Sequence, residues 1–231
     1  MANDEGIVLA VKGREVFRDV APDTAPMDEP TEQAQRLWDE HAANYDRQTR
    51  VFERLLFGGG RRWVCSRARG DVLEIAVGTG LNLTYYPGTT RLTGIELSPK
   101  MLEIARARLQ ELGREADLRL GDAQELDFPD ASFDTVVCTL SLCSIPDDRR
   151  AVAETRRVLR PGGRCVLLEH VRSPLRAVRL FQHLLEPLFR RDGDTLLREP
   201  LEHLRAEGFE VEQLERSKLG VVERVVARRP M

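Results

Sequence analysis

With 231 residues, 42% of them hydrophobic and 32% charged, the chain is long and apolar enough to fill the core of one domain and excludes general disorder. A formal net charge of −3 gives no electrostatic grip on a nucleic acid backbone, and no apolar stretch approaches the roughly 20 residues that span a bilayer. Four cysteines (Cys65, Cys138, Cys143 and Cys165) form no C-x-x-C pair and no cluster with histidine. They read as buried free thiols in a reducing, cytoplasmic setting, with no metal centre expected.

In chain order, residues 1–30 are acidic, end in A-P-D-T-A-P-M-D-E-P and read as a mobile tail; with acids near the start, no signal peptide is expected. Residues 31–231 read as a single domain. A helical cap occupies 31–70. Its first helix starts at Thr31 with Leu37, Trp38, His41 and Tyr45 on roughly one face, and its second runs from Arg47 to Phe57, where Gly58-Gly59-Gly60 breaks it. Residues 71–170 then alternate strand and helix, the pattern of a doubly wound parallel sheet. Strands are expected at Val72–Ala76, Arg91–Leu97, Asp117–Leu120, Phe133–Leu140 and Arg164–Glu169. A short helix is expected before Pro87, one from the Ser98-Pro99 cap to Leu112, and one from Asp147 to Leu159. Residues 171–208 read as two helices, Pro174–Arg191 and Pro200–Glu207. Residues 209–229 read as a hairpin, Glu210–Lys218 and Val221–Arg228, so one of its strands must run antiparallel. The fold class is α/β: seven strands, mostly parallel.

The chemistry centres on V-L-E-I-A-V-G-T-G-L at residues 72–81. An apolar run ends in a carboxylate, Glu74, and a glycine turn, and a second carboxylate, Glu96, closes the next strand. The turn lacks the lysine of a phosphate-binding loop and the third glycine of a dinucleotide site. An acid at the strand tip repels a pyrophosphate but suits an ammonium-bearing ligand, and Glu96 stands where an adenosine's ribose hydroxyls are held.

On these residues the chain resembles the class I S-adenosylmethionine-dependent methyltransferases. Glu74, Gly78 and Gly80 match that family's glycine loop, with Ala76 in place of a glycine; Glu96 matches its ribose-binding acid; Gly121-Asp122-Ala123 matches its adenine-binding segment. S-F-D-T-V-V-C-T-L-S-L at 132–142, which contains Thr139, matches the strand that faces the methyl donor, and L-R-P-G-G-R at 159–164 matches the turn into strand five. The resemblance implies S-adenosylmethionine as cofactor, Leu97 and Met101 beside the adenine, and Tyr45 at the methionine end. Within the superfamily the chain is similar to the ubiquinone/menaquinone group, with local likeness to phospholipid N-methyltransferases and to alkyl-thiol methyltransferases. A small-molecule acceptor is therefore expected: quinone precursor, thiol, phenol or amine. The alternatives are a phospholipid N-methyltransferase working at a membrane surface and a non-catalytic cofactor-binding partner protein. His170 and His41 are the candidate acid/base groups, and Cys143 and Phe181 the candidate acceptor-pocket residues. The helix at 175–191 carries Leu175, Val178, Phe181, Leu184, Leu185, Leu188 and Phe189 with Arg176, Arg179, His183, Arg190 and Arg191. It is expected to cover the acceptor pocket with its apolar face inward, the other reading being peripheral contact with an anionic membrane.

Overall fold

A computed structural model describes residues 27–231, so the tail expected over residues 1–30 lies, except for its last four residues, outside the described residues. Seven strands form one sheet: β1 (Asp71–Ile75), β2 (Arg91–Glu96), β3 (Asp117–Leu120), β4 (Phe133–Thr139), β5 (Leu159–His170), β6 (Glu210–Ser217) and β7 (Val222–Arg228). Their order across the sheet is β3-β2-β1-β4-β5-β7-β6. The first five pair in parallel, and β7 runs antiparallel to both β5 and β6, as the short hairpin turn requires. Strand order reverses between β1 and β4. A doubly wound sheet opens a crevice at the carboxyl ends of its strands at such a reversal.

The strands bury both faces. Leu73 and Ile75 of β1, Val136 and Cys138 of β4, and Cys165 and Leu167 of β5 pack on one side with α5 (Asp148–Val158) and α7 (Pro200–Ala206). Their neighbours Val72, Val137, Val166 and Leu168 pack on the other with α3 (Gly60–Cys65) and α4 (Pro99–Glu111). Continuous apolar strands thus follow from helices on both faces. Side-chain caps set the helix starts: Asp28 accepts the Thr31 amide for α1 (Glu29–His41), Ser98 that of Met101 for α4, and Asp147 that of Arg150 for α5. Each such cap contributes about 1 kcal/mol.

The boundaries depart from expectation in several places: α1 opens at Glu29, inside the stretch read as tail, and α2 (Tyr45–Leu56) at Tyr45, two residues before Arg47. Residues 78–87 form successive turns rather than a helix, because Pro87 closes the segment before an α-turn ladder can build. The triple glycine ends α2 as expected, yet Gly60 opens α3 after Gly59 turns at φ 72°. Strand β5 begins five residues early, at Leu159, which pairs with Phe133; a register shift lets Pro161-Gly162-Gly163 bulge before pairing resumes at Arg164. The helix expected from Pro174 starts two residues later, as α6 (Arg176–Arg191), and holds Pro187 in its interior.

Gly80 shows why the turn after β1 needs glycine. It sits at φ 81°, and a Cβ there would lie 2.7 Å from Leu83 Cδ1 and 3.2 Å from the Ala105 backbone of α4. Left-handed strain adds about 1 kcal/mol and overpacking another 1–3. Gly80→Ala should therefore lower unfolding stability by at least about 2 kcal/mol in urea titration, whereas Gly78→Ala, with nothing within 4 Å of its Cβ, should cost clearly less.

Candidate active site

At the reversal of strand order, a cleft lies over the carboxyl ends of β1, β2 and β4. Glu96 ends β2 against it and is only 4% exposed. One of its oxygens accepts the Gly78 amide at 2.8 Å and the other the Ser98 amide at 2.9 Å. Two turns, one after β1 and one after β2, are thereby tied to a single carboxylate. Burial pushes its pKa up, and the backbone amides hold it down.

Of the sequence-predicted residues, Tyr45, Ala76, Gly78, Glu96, Leu97, Met101, Asp122 and Ala123 all line this cleft. Ala76, which stands where the family has glycine, takes up a left-handed φ of 52°. Asp122 lies at the far wall with its carboxylate held by Gln124, whose side-chain amide donates to Asp122 and to Thr31 while its oxygen accepts the Asp147 amide. Gln124 carries no motif of its own in the sequence and was not anticipated.

Glu74, Gly80 and Thr139 do not line the cleft; they lie beneath it. Asn82 Nδ2 donates to Glu74 Oε1 at 2.8 Å and to Thr139 Oγ1 at 3.0 Å, while Glu74 Oε2 is buried with no hydrogen-bond partner. Desolvation pushes Glu74 up to about 7. Tyr86, Asn82 and the Arg61 guanidinium pull that value back down, and a further positive charge beside the glycine turn would favour the charged form in the same way.

The roof of the cleft is α1. Gln35 donates to the Leu97 carbonyl, and Asp39 accepts both the Ser98 hydroxyl and the Lys100 amide, so the helix is pinned to the start of α4. Trp38, Tyr45 and His41 form an aromatic group, with Trp38 edge-on to both others. His41 is half-buried and stays off the cleft wall. Tyr45 is desolvated, which keeps its hydroxyl protonated.

Behind Tyr45 lies a second group. Cys143, His170 and Asp194 bring one donor atom each within 4.8 Å of one another, and the Cys143 thiol reaches Asp194 Oδ1 at 3.4 Å. Burial keeps His170 neutral by lowering its pKa, and its Nδ1 has no partner. The same burial raises Asp194 and keeps Cys143 a thiol. Sequence reading singled out Cys143 and His170 but not Asp194, which follows α6 and meets them only through folding. Phe181 is elsewhere: it is 59% exposed on α6, so its expected place in the acceptor pocket is not the one it takes. The helix turns Gln182 and Glu186 inward instead.

The matching comparisons extend over this architecture. A family model described as "Methyltransferase domain" matches residues 73–167. Phosphatidylethanolamine N-methyltransferase of Cereibacter sphaeroides is 46% identical over 114 residues, covering 47% of this chain and 56% of that one. Thiol S-methyltransferase TMT1A of Homo sapiens is 33% identical over 171 residues, covering 71% of this chain and 70% of the relative. The chain belongs to the S-adenosylmethionine-dependent methyltransferases. The fold agrees: geranyl diphosphate C-methyltransferase of Streptomyces coelicolor superposes with a TM-score of 0.70 at 14% identity, over 88% of this chain and all of that one. The chain spans little more than half the length of the Cereibacter relative.

Within this methyltransferase fold, Glu169 is the buried acid that sequence reading passed over. Its Oε1 accepts the Ser141 and Leu142 amides at 3.0 and 3.2 Å, fixing the loop after β4 that carries Leu140 and Ser141 into the cleft. Burial pushes it up to about 7 from the usual 4.5. The folded state thus holds this proton more firmly than the unfolded one. The stability it lends is complete below about pH 4.5 and is lost as pH rises through about 7. Glu169→Gln keeps an acceptor for both amides and removes the titration. Urea unfolding from about pH 5 to about pH 8 should fall less steeply in the variant than in the parent; identical slopes would sink this assignment.

Proposed function

We propose that this methyltransferase moves a methyl group from S-adenosylmethionine to a small-molecule acceptor. The observation that carries the reading is Glu96. Each of its oxygens is fixed by one backbone amide and retains lone-pair capacity toward the cleft, an arrangement suited to a pair of vicinal hydroxyls. Two further features fit the cofactor: open space where Gly78 lacks a Cβ, and the buried Glu74 carboxylate under the turn, whose charged form a positive ligand would favour.

When bound, S-adenosylmethionine supplies a methyl group already activated on a sulfonium. The chain's own work is then binding, alignment and proton handling. Glu96 would hold the ribose, Leu97 and Met101 would flank the base, and Asp122 with the Ala123 backbone would meet its polar edge. Glu74, held by Asn82 and backed by Thr139 and Gly80, would act on the amino-acid end from beneath the turn at Ala76, and Tyr45 with Trp38 would exclude water at the mouth. On the acceptor side, His170 is kept neutral with a free ring nitrogen, and Asp194 within reach favours the charged ring that forms when His170 takes a proton. That pairing serves acceptors that must lose a proton: thiols, phenols and the hydroxylated precursors of quinones. His41 would act only through Trp38 and Asp194. Four free, buried thiols support a reducing, cytoplasmic setting.

A second reading, an amine on a phospholipid headgroup reached by peripheral membrane contact through residues 175–191, is favoured by the exposed leucines of α6. A partner protein that binds the cofactor without turnover is the remaining reading. Screening lipid, quinone, thiol and phenolic acceptors for S-adenosylhomocysteine release separates the three, and release with any acceptor excludes the non-catalytic one.

Calorimetry should give cofactor binding in the micromolar range. Glu96→Ala should weaken it by about 100-fold, the worth of hydrogen bonds to a charged group, and Gly78→Arg should abolish it; unaltered titrations with either variant would refute the cofactor site. His170→Gln should cut turnover at least about tenfold with cofactor affinity intact, since a positioned base contributes about 100-fold or more. Equal loss of binding would move His170 to a structural role.

A further inference from the structure

Helix α6 is apolar on two faces. Val178, Leu185 and Phe189 are half-buried on the inner side, beside Gln182 and Glu186. Those two polar residues are satisfied internally: Gln182 bonds the Ser173 amide and the Val171 and Leu196 carbonyls, and Glu186 accepts the Leu196 amide and Arg190. The inner face is therefore complete. The outer face carries Leu180, Phe181, Leu184 and Leu188 at 57–75% exposure. Their spacing of three and four residues makes one stripe.

Charge beside that stripe runs one way. Arg176, His183 and Arg190 follow each other at seven-residue steps, so they form a row along its edge, and Arg179 and Arg191 add to it. The helix has a single acid, Glu186, which is buried and already paired with Arg190. In a chain of net charge −3 this is a local inversion of sign. Helix α2 repeats the composition: Val51, Phe52 and Leu55 are 45–65% exposed, and Arg47, Arg50 and Arg54 line the groove behind them. Its two acids are engaged inward, Asp46 with Arg108 and Glu53 with Arg61. The end of α6 approaches the start of α2 at the cleft mouth: a Cβ on Gly193 would touch Leu37 and Trp38, and Asp194 acts on Tyr45.

We propose that α6, seconded by α2, docks this protein on an anionic phospholipid bilayer, with the outer leucines in the acyl boundary and the arginines among the headgroups. A soluble partner surface would not need two apolar stripes each bordered by cations, with no fully exposed acid inside either helix and Asp192 just past the end of α6. A bilayer with negative headgroups matches both. Docking this way sets the cleft mouth beside the lipid and gives hydrophobic acceptors a route in that avoids water.

The test is sedimentation of the full chain with vesicles, in the absence of cofactor, so that its result does not depend on methyl transfer. Vesicles of equal parts phosphatidylglycerol and phosphatidylcholine should bind the protein, pure phosphatidylcholine should bind it at least about tenfold less, and binding should weaken as salt is raised. The triple variant Leu180→Gln, Leu184→Gln, Leu188→Gln changes exposed side chains only and should retain the parent's circular dichroism while losing at least about tenfold in vesicle affinity. Leu55→Gln with Val51→Gln should weaken binding less, with the fold also retained. No binding to the anionic vesicles, binding indifferent to headgroup charge, or a triple variant that binds like the parent would overturn the proposal. So would a parent dimer that dissociates in the triple variant without any vesicle binding, because α6 would then be covered by a second copy.

Discussion

Everything at the cleft depends on one carboxylate being held by backbone amides from two different turns. Glu96 links the loop after β1 to the loop after β2, and those loops carry most of the wall: Ala76 and Gly78 on one side, Leu97 and Met101 on the other. Backbone donors do not rotate as side chains do, so the spacing between the loops is set by the length of a carboxylate. The strained φ of Ala76 and the positive φ of Gly78 and Gly80 follow from it, because the turn must direct its amides back toward the tip of β2. Burying the charge is costly, but the amides offset that cost in a way that leaves oxygen lone pairs directed into the cleft.

The same device recurs at the tips of neighbouring strands, with different completeness. Glu169, near the end of β5, holds two amides of the loop after β4. Glu74, near the end of β1, has no backbone donor: Asn82 bonds one oxygen, and the Tyr86 hydroxyl and Arg61 are the groups nearby that favour its charge. Glu96 alone has both oxygens bonded to backbone amides, while Glu74 and Glu169 each keep a second oxygen buried without a hydrogen bond, and of these two Glu74 lies under the glycine turn. A sheet that buried three such acids for stability alone would be poorly built, since apolar residues fill the same space without the desolvation cost.

Periodicity and punctuation made most of the fold legible. Ser98-Pro99, Asp147, Gly113 and the Leu219-Gly220 turn all sit at element ends, and β3 has the expected bounds Asp117–Leu120. Contacts between distant segments were not legible. Gln124, Asp194 and Glu169 matter because of what folding brings to them, and nothing in their immediate neighbourhoods announces it. The orientation of α6 failed for a physical reason: both of its faces are apolar, so hydrophobic spacing alone favoured neither direction, and the choice fell to Gln182 and Glu186. Those two look like solvent-facing residues until the orphan amides and carbonyls at Val171, Ser173 and Leu196 are in view.

Gln124 has a wider reach than its role at Asp122. One side chain joins the first turn of the roofing helix, the far wall of the cleft and the capping residue of α5. Lifting α1 from the cleft therefore means breaking its bond to Thr31, which frees the amide that steadies Asp122 and slackens the entry to α5 on the opposite side of the sheet. The roof, the far wall and a helix behind that wall thus share one latch, so a change at any of the three is passed to the other two through a single side chain.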